Sequence, residues 1–134
     1  MADTLATKRA NNDIFLLIGR VLAASLFIAS GVQKLMGIEG TVGYIEAVGL
    51  PYPIVLAWIA AIFETAAGLL LLVGFLTRSA ALALAGFCFF TAFVFHFQPD
   101  DPQQMTQLMK NIALAGGCLA FAAVGAGRFS VDRG

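Results

Sequence analysis

The sequence predicts an all-α integral membrane protein, a four-helix bundle with a short interfacial helix in its first outer loop. Apolar residues make up 60% of the 134 residues and charged residues only 12%, whereas soluble domains carry about 45–50% and about 25%. Four apolar runs each approach the roughly 20 residues that a helix needs to cross a bilayer. We therefore expect one transmembrane domain over residues 1–134, with the lipid bilayer as its first partner.

The first span is predicted at residues 14–35, an apolar run that contains Arg20 and ends near Lys34. Lys8 and Arg9 ahead of it also fit the basic start of a cleaved signal peptide. We interpret the run as an uncleaved first span.

The short interfacial helix is predicted at residues 41–48, inside a stretch that is otherwise rich in Gly and Pro. Thr41 is a suitable N-cap, and Gly49 a suitable C-terminal stop. The segment mixes apolar residues with Glu46, which is typical of a helix that lies in the membrane interface rather than across it.

Three further spans are predicted at residues 54–76, 79–97 and 105–124. Glu64 is the ionisable residue of the second span, and His96 lies near the end of the third. Short polar or Gly-containing turns separate the three runs, as expected for neighbouring antiparallel helices.

An even number of spans places both termini on the same side of the membrane. Cytoplasmic loops carry an excess of Lys and Arg, so the basic residues indicate which side this is. The terminus side carries Lys8, Arg9, Arg78, Arg128 and Arg133, whereas the opposite side has Lys34 and Lys110. The sequence therefore predicts a multi-pass protein with both termini in the cytoplasm.

Arg20 and Glu64 are the first candidate site residues, because a charge at the centre of a span costs about 2.5–3.5 kcal/mol. With Asp13 and Ile54 taken as span ends, the helical rise places them about 5 Å apart in depth. We expect a buried ion pair between them. One interpretation is that the pair only stabilises the bundle; the other is that Glu64 carries a proton or contacts a ligand in a cavity.

A second group of polar and aromatic residues gathers at the outer ends of the spans. Taken singly, each lysine fits a side chain that reaches the headgroups, and His96 fits a helix-end cap. Taken together, they predict a cationic pocket roofed by the helix at residues 41–48. The predicted pocket residues are Lys34, Tyr44, Trp58, His96, Lys110 and Asn111. Such a pocket would suit an anion, a lipid headgroup or the carbonyl oxygens of a quinone.

Several other functions have no support in the sequence. Eight basic residues balance eight acidic ones, so no charged footprint for nucleic acid is present. Cys88 and Cys118 have no ligand spacing, so no metal site is expected. No haem ligand pair, iron–sulfur cysteine set or dinucleotide fingerprint occurs. Electron transfer would therefore use a bound quinone or a partner protein, and no catalytic residue is assigned.

The chain resembles the DoxX family of small bacterial inner-membrane proteins from Ile14 to Asp132. The matching segments are Gly19-Arg20, Ala29-Ser30-Gly31-Val32-Gln33-Lys34-Leu35, Tyr44, Gly49-Leu50-Pro51, Glu64 with Gly68, Gly74-Phe75-Leu76-Thr77-Arg78, His96, Lys110-Asn111, Gly116-Gly117 and Gly125-Ala126-Gly127-Arg128-Phe129-Ser130-Val131-Asp132. Their order and spacing together carry the resemblance, since no single motif is decisive.

The resemblance implies a four-helix bundle in the cytoplasmic membrane, in a wider group that includes the membrane subunit of a thiosulfate:quinone oxidoreductase. It favours a quinone-linked membrane subunit that works with a soluble or peripheral redox partner. Two alternatives remain open: a non-catalytic scaffold that recruits a partner through its C-terminal tail, and a small anion or proton transporter. The lipid-facing surface also leaves room for a homodimer.

Overall fold

The computed structural model describes residues 1–134 and contains five α-helices and no strand. The helices are α1 (Ala2–Met36), α2 (Ile38–Ala47), α3 (Pro53–Val73), α4 (Thr77–Phe95) and α5 (Pro102–Val124). All except α2 are long and apolar enough to cross a membrane. The predicted fold class, an all-α four-helix membrane bundle, is confirmed.

Helix α1 is longer than the span predicted at residues 14–35. Its 35 residues measure about 52 Å at the helical rise, well beyond a hydrocarbon core of about 30 Å. The first turns continue as helix because no Gly or Pro occurs before Gly19. Its polar N-terminal part is exposed and projects from the bundle at the end where the chain starts, which we call the terminus end.

Helix α2 begins at Ile38, three residues before the predicted start at Thr41. Gly37, with φ −140°, separates it from α1, and no side chain caps its first turn. The helix packs on α3 and buries Ile45. It therefore covers the opposite end of the bundle, which we call the loop end.

The four long helices form two closely packed antiparallel pairs, α1 with α3 and α4 with α5. Glycine sets the approach within the first pair. A Cβ atom at Gly31 would overlap Thr65 Oγ1 and lie 2.7 Å from the Thr65 backbone nitrogen. A Cβ atom at Gly68 would lie 3.2 Å from the backbone nitrogen of Ile28. Small residues of this kind let membrane helices bring their backbones together.

The core lies between the two pairs and consists of small or slender side chains. Its buried members are Ala24, Phe27, Ala67, Leu71, Ala81, Leu84, Ala85, Cys88, Ala115 and Cys118. Contact between the pairs is less extensive than contact within each pair. The bundle is therefore two helix pairs joined by one buried core to which all four long helices contribute.

The segment that follows α5 folds back over the terminus end of the bundle. It begins with Gly125 and Gly127 at φ 86° and 84°, a left-handed conformation that favours glycine. The backbone N–H of Arg128 donates to Asp13 Oδ1 at 3.1 Å, and that of Val131 to the Val73 carbonyl at 3.0 Å. The tail is thus an ordered part of the bundle.

Candidate functional site

Arg20 is fully buried and bonds to backbone carbonyl groups. Its Nε donates to the Ala126 oxygen at 3.0 Å, its Nη1 to Leu71 and Leu72 at 3.2 and 2.8 Å, and its Nη2 to Phe129. The last carbonyl groups of a helix have no partner within the helix, and Arg20 supplies donors at the end of α3. It therefore joins α1 to α3 and to the tail.

The predicted ion pair between Arg20 and Glu64 is wrong. Gly31 packs against Thr65, the neighbour of Glu64. Arg20 lies eleven residues before Gly31, which is about 17 Å along the helix axis. The depth estimate assumed that Asp13 is level with the end of α3, whereas α1 continues far beyond that end.

Glu64 instead pairs with Lys34, the last basic residue of α1. Lys34 Nζ lies 2.7 Å from Glu64 Oε2 and 2.8 Å from Ser30 Oγ. The exposed fraction is 28% for the Lys34 side chain and 6% for that of Glu64. The lysine therefore reaches from the loop end towards the interior, where it neutralises a nearly buried carboxylate.

This ion pair lies beside a cavity of about 670 Å³ at the loop end of the bundle. We call it the polar cavity, and its volume is in the range of known small-molecule sites. Its polar lining includes Ser30, Lys34, Tyr44, Glu64, Thr91, His96, Lys110 and Asn111, and its apolar lining includes Leu26, Phe27, Ile59, Phe63, Phe87, Phe90, Phe95 and Leu114. All five helices contribute to the walls.

His96 ends α4 and is held by the first turn of α5. Its Nδ1 lies 2.7 Å from Gln104 Oε1. An amide oxygen can only accept, so Nδ1 carries the proton and Nε2 is an acceptor in the neutral ring. Asp101 caps the same turn of α5 by accepting the N–H of Gln103 at 3.0 Å and of Gln104 at 3.4 Å.

Asn111 has a fixed orientation because Thr91 determines which end of its amide faces α4. The Thr91 hydroxyl donates to the Cys88 carbonyl at 3.2 Å, so its oxygen accepts from Asn111 Nδ2 at 2.9 Å. Asn111 Oδ1 then has no partner within the protein. The neighbouring Lys110 is exposed and lies in no ion pair.

The structure brings five of the six predicted pocket residues to the polar cavity and leaves out Trp58. Trp58 is 42% exposed and lies with Ile54, Val55 and Ile62 on an outer apolar surface, which shares Ile59 and Phe63 with the cavity lining. Trp58 lies two residues before the cavity-lining Ala60, which corresponds to a rotation of about 200° around the helix axis. The indole therefore faces away from the cavity, towards the lipid.

Three residues that orient the site were not predicted from the sequence, namely Ser30, Thr91 and Gln104. Ser30 lies four residues before Lys34, so helix spacing offered a signal. Thr91 and Gln104 act across the contact between α4 and α5, and single-sequence spacing gives no register for that contact.

Comparison with known proteins gives consistent results. Residues 15–97 match the sequence profile of the DoxX family. The inner membrane protein YqjF of Escherichia coli (strain K12) is 40% identical over 124 residues, which cover 90% of this chain and 92% of that protein. The inner membrane protein YphA of the same strain is 35% identical over 129 residues, which cover 92% of each chain. No solved structure matches.

Both relatives are inner membrane proteins, and four helices of this chain are able to span a membrane. The family match covers most of the first four helices, and the similarity to the relatives extends over nearly the whole chain. The chain is a membrane protein that belongs to the DoxX family.

Proposed function

We propose that this protein is a quinone-binding membrane subunit of a redox complex, with the quinone ring in the polar cavity. One observation carries the proposal: a cavity of about 670 Å³ combines a cluster of polar groups with extensive apolar walls. A quinone has the same division, since its ring oxygens are polar and its tail is apolar. Ligand sites of this kind use a few polar groups to orient a mostly apolar molecule.

Lys110 is the residue best suited to bind a ring carbonyl oxygen. Lys110 lines the cavity and its ammonium group has no carboxylate partner, whereas Lys34 is already paired with Glu64. Lys110 therefore has free donors for an acceptor oxygen. Asn111 and His96 lie on the same wall and would orient the ring.

The apolar part of the ligand would lie against the aromatic side of the cavity. Phe63 and Phe87 are packed with their ring centres 5.4 Å apart, and both line the cavity. A bound quinone would supply two-electron, two-proton chemistry. The protein's own residues bind and orient the ring, and a soluble or peripheral partner exchanges the electrons with it. We place this complex in the bacterial inner membrane, with both termini of this chain in the cytoplasm.

Gentle extraction followed by native mass spectrometry tests the proposal, with a quinone assay on the extracted lipid. We expect stoichiometric quinone in the wild type and at least about tenfold less in Lys110→Ala. Lys8→Ala is the control, because Lys8 lies on the exposed start of α1. Isothermal titration calorimetry with ubiquinone-1 gives a second measure of binding.

The opposite result would favour the scaffold interpretation. A stable partner protein without quinone, together with no ubiquinone-1 binding, would contradict the proposed site. Equal quinone content in Lys110→Ala and wild type would show that Lys110 is not part of the quinone site.

A further inference from the structure

We infer that the polar cavity selects the reduced, dihydroxy form of its ring, a quinol, over the oxidised quinone. This inference rests on the proposed function and concerns which redox form the site is built to hold. It follows from counting the free hydrogen-bond donors and acceptors that the chain directs at the cavity.

The free acceptors of cavity-lining residues include one each on Asn111, His96 and Glu64. Asn111 Oδ1 is unpartnered because its amide nitrogen is bound to Thr91. His96 Nε2 has no partner within the protein, whereas Nδ1 faces Gln104, and Nε2 accepts when Nδ1 alone carries the proton. Glu64 Oε1 is free because the ion pair uses Oε2.

The orientation of the amide decides this count. The Thr91 hydroxyl has one proton, which the Cys88 carbonyl receives. Its oxygen must therefore meet a donor, and of the two ends of the Asn111 amide only the nitrogen can donate. If the Asn111 amide were rotated by half a turn, its Oδ1 would face the Thr91 oxygen, and two acceptors would meet. Oδ1 is therefore the end of the amide that is left for a ligand.

The free donors of the same cavity include the two lysines. Lys34 uses two of its three N–H groups on Ser30 and Glu64, and Lys110 uses none within the protein. A quinone oxygen accepts from these lysines but offers nothing to the three acceptors. A quinol hydroxyl accepts from a lysine and also donates, so it satisfies both kinds of group.

The difference in affinity follows from the cost of an unsatisfied polar group. An acceptor that loses water without gaining a donor costs about tenfold in binding. We therefore expect the quinol to bind at least about tenfold more tightly than the quinone. Tighter binding of the quinol would raise the midpoint potential of the bound quinone/quinol couple by about 30 mV for each tenfold difference in affinity.

The test compares ubiquinone-1 and ubiquinol-1 on the full-length purified protein, by anaerobic isothermal titration calorimetry. The expected result in wild type is a quinol dissociation constant at least about tenfold lower than that of the quinone. In Asn111→Leu, we expect quinol binding to weaken by about tenfold more than quinone binding.

Thr91→Val is the second variant, because it leaves Asn111 in place and removes only the group that orients the amide. We expect it to lower the quinol preference, whereas Thr106→Val should leave the preference unchanged. Thr106 is a matched control, since its hydroxyl also bonds to a backbone carbonyl on its own helix, Pro102 at 2.9 Å, and it lies outside the cavity lining.

The outcomes separate the two proposals. Equal or tighter binding of the quinone would overturn the quinol preference and leave the quinone site in place. Failure of both forms to bind would remove the proposed function itself. Equal weakening of both forms in Asn111→Leu, with no change of preference in Thr91→Val, would overturn the role assigned to Asn111.

Discussion

The carboxylate of Asp132 lies 2.9 Å from the backbone nitrogen of Thr77 and so caps the first turn of α4. Its other oxygen accepts the N–H of Leu76 at 3.1 Å. The residue at the N-cap position, Leu76, has φ 49° and no capping side chain. The cap therefore comes from the tail, 55 residues later in the chain.

Asp132 makes the stability of the bundle dependent on pH. Hydrogen bonds from Thr77, then from the N–H of Leu76, and the nearby charge of Arg20 hold the pKa of Asp132 below its usual value. The ionised form is thus favoured by folding, so its contribution is complete above the unfolded pKa of about 3.9. The contribution is lost as the pH falls through the lowered folded pKa.

We expect Asp132→Ala to lower the thermal unfolding temperature at pH 7 and to unfold together with the wild type at a pH below the folded pKa. Unfolding in nanodiscs at a series of pH values measures this. Asp100→Ala is the control, because Asp100 is an exposed loop residue without a hydrogen-bond partner. A temperature difference that is the same at every pH would contradict the capping role of the charge.

Replacement of Arg20 should be strongly destabilising, because four carbonyl groups lose their shared donor. We expect Arg20→Leu to reduce the free energy of unfolding by about 3–5 kcal/mol. Arg20→Lys should not restore it, since one ammonium group cannot reach all four acceptors on α3 and the tail. Arg78→Ala is a matched control: the exposed Arg78 also bonds to helix-end carbonyls, at Ala122 and Ala123. Unfolding in detergent measures the loss of stability in Arg20→Leu and in Arg78→Ala. Equal losses would contradict the claim that the buried bonds of Arg20 stabilise the bundle.

Lys34 and Glu64 should be energetically coupled. We expect each single alanine variant to lose about 1–3 kcal/mol, because each leaves an unpaired charge at low exposure. The double variant should lose less than the sum, with a coupling energy of about 1–3 kcal/mol. A thermodynamic cycle of the four proteins measures this coupling, and additive losses would show that the pair contributes nothing to folding.

Gly31 should resist even the smallest side chain. A Cβ atom there would meet Thr65, including its backbone nitrogen at 2.7 Å, so the helices α1 and α3 would have to separate. We expect Gly31→Ala to cost about 1–3 kcal/mol. Gly86→Ala is the control, since a Cβ atom at Gly86 would meet nothing within 4 Å, and it should be neutral or slightly stabilising. Thermal unfolding of the two variants and the wild type measures this difference, and equal stability of the two variants would contradict the close approach of α1 and α3 at Gly31.

The orientation of the bundle is also testable. The basic residues predict that the terminus end faces the cytoplasm. A green fluorescent protein fused after Gly134 should be fluorescent, and alkaline phosphatase fused there should be inactive. Phosphatase fused after Phe97, at the loop end, should be active. The reverse pattern would contradict the predicted orientation.

Much of the architecture follows from the sequence because hydrophobic length alone limits where membrane helices lie. The gathering of His96, Lys110 and Lys34 also follows, since each lies near the same end of a span. The partner of Arg20 does not follow, because backbone carbonyls at a helix end carry no residue-specific signal. The sequence therefore predicts Glu64 as the partner of Arg20, because Glu64 is the opposite charge at a similar estimated depth.

Helix register accounts for the other differences. Whether Thr91 meets Asn111 depends on how α4 and α5 align, and a single sequence does not fix that alignment to within a residue. Trp58 was misplaced for a related reason, because depth along a helix was estimated but rotation around its axis was not.

The bonds of Arg20 also order events during synthesis. Two of its acceptors, at Ala126 and Phe129, lie 106 and 109 residues later in the chain, while Arg20 enters the membrane with the first helix. The guanidinium group is therefore only partly satisfied until the segment after α5 has been synthesised and has folded back. A chain that stops after α5 would have every span and yet hold an incompletely bonded cation within the bilayer.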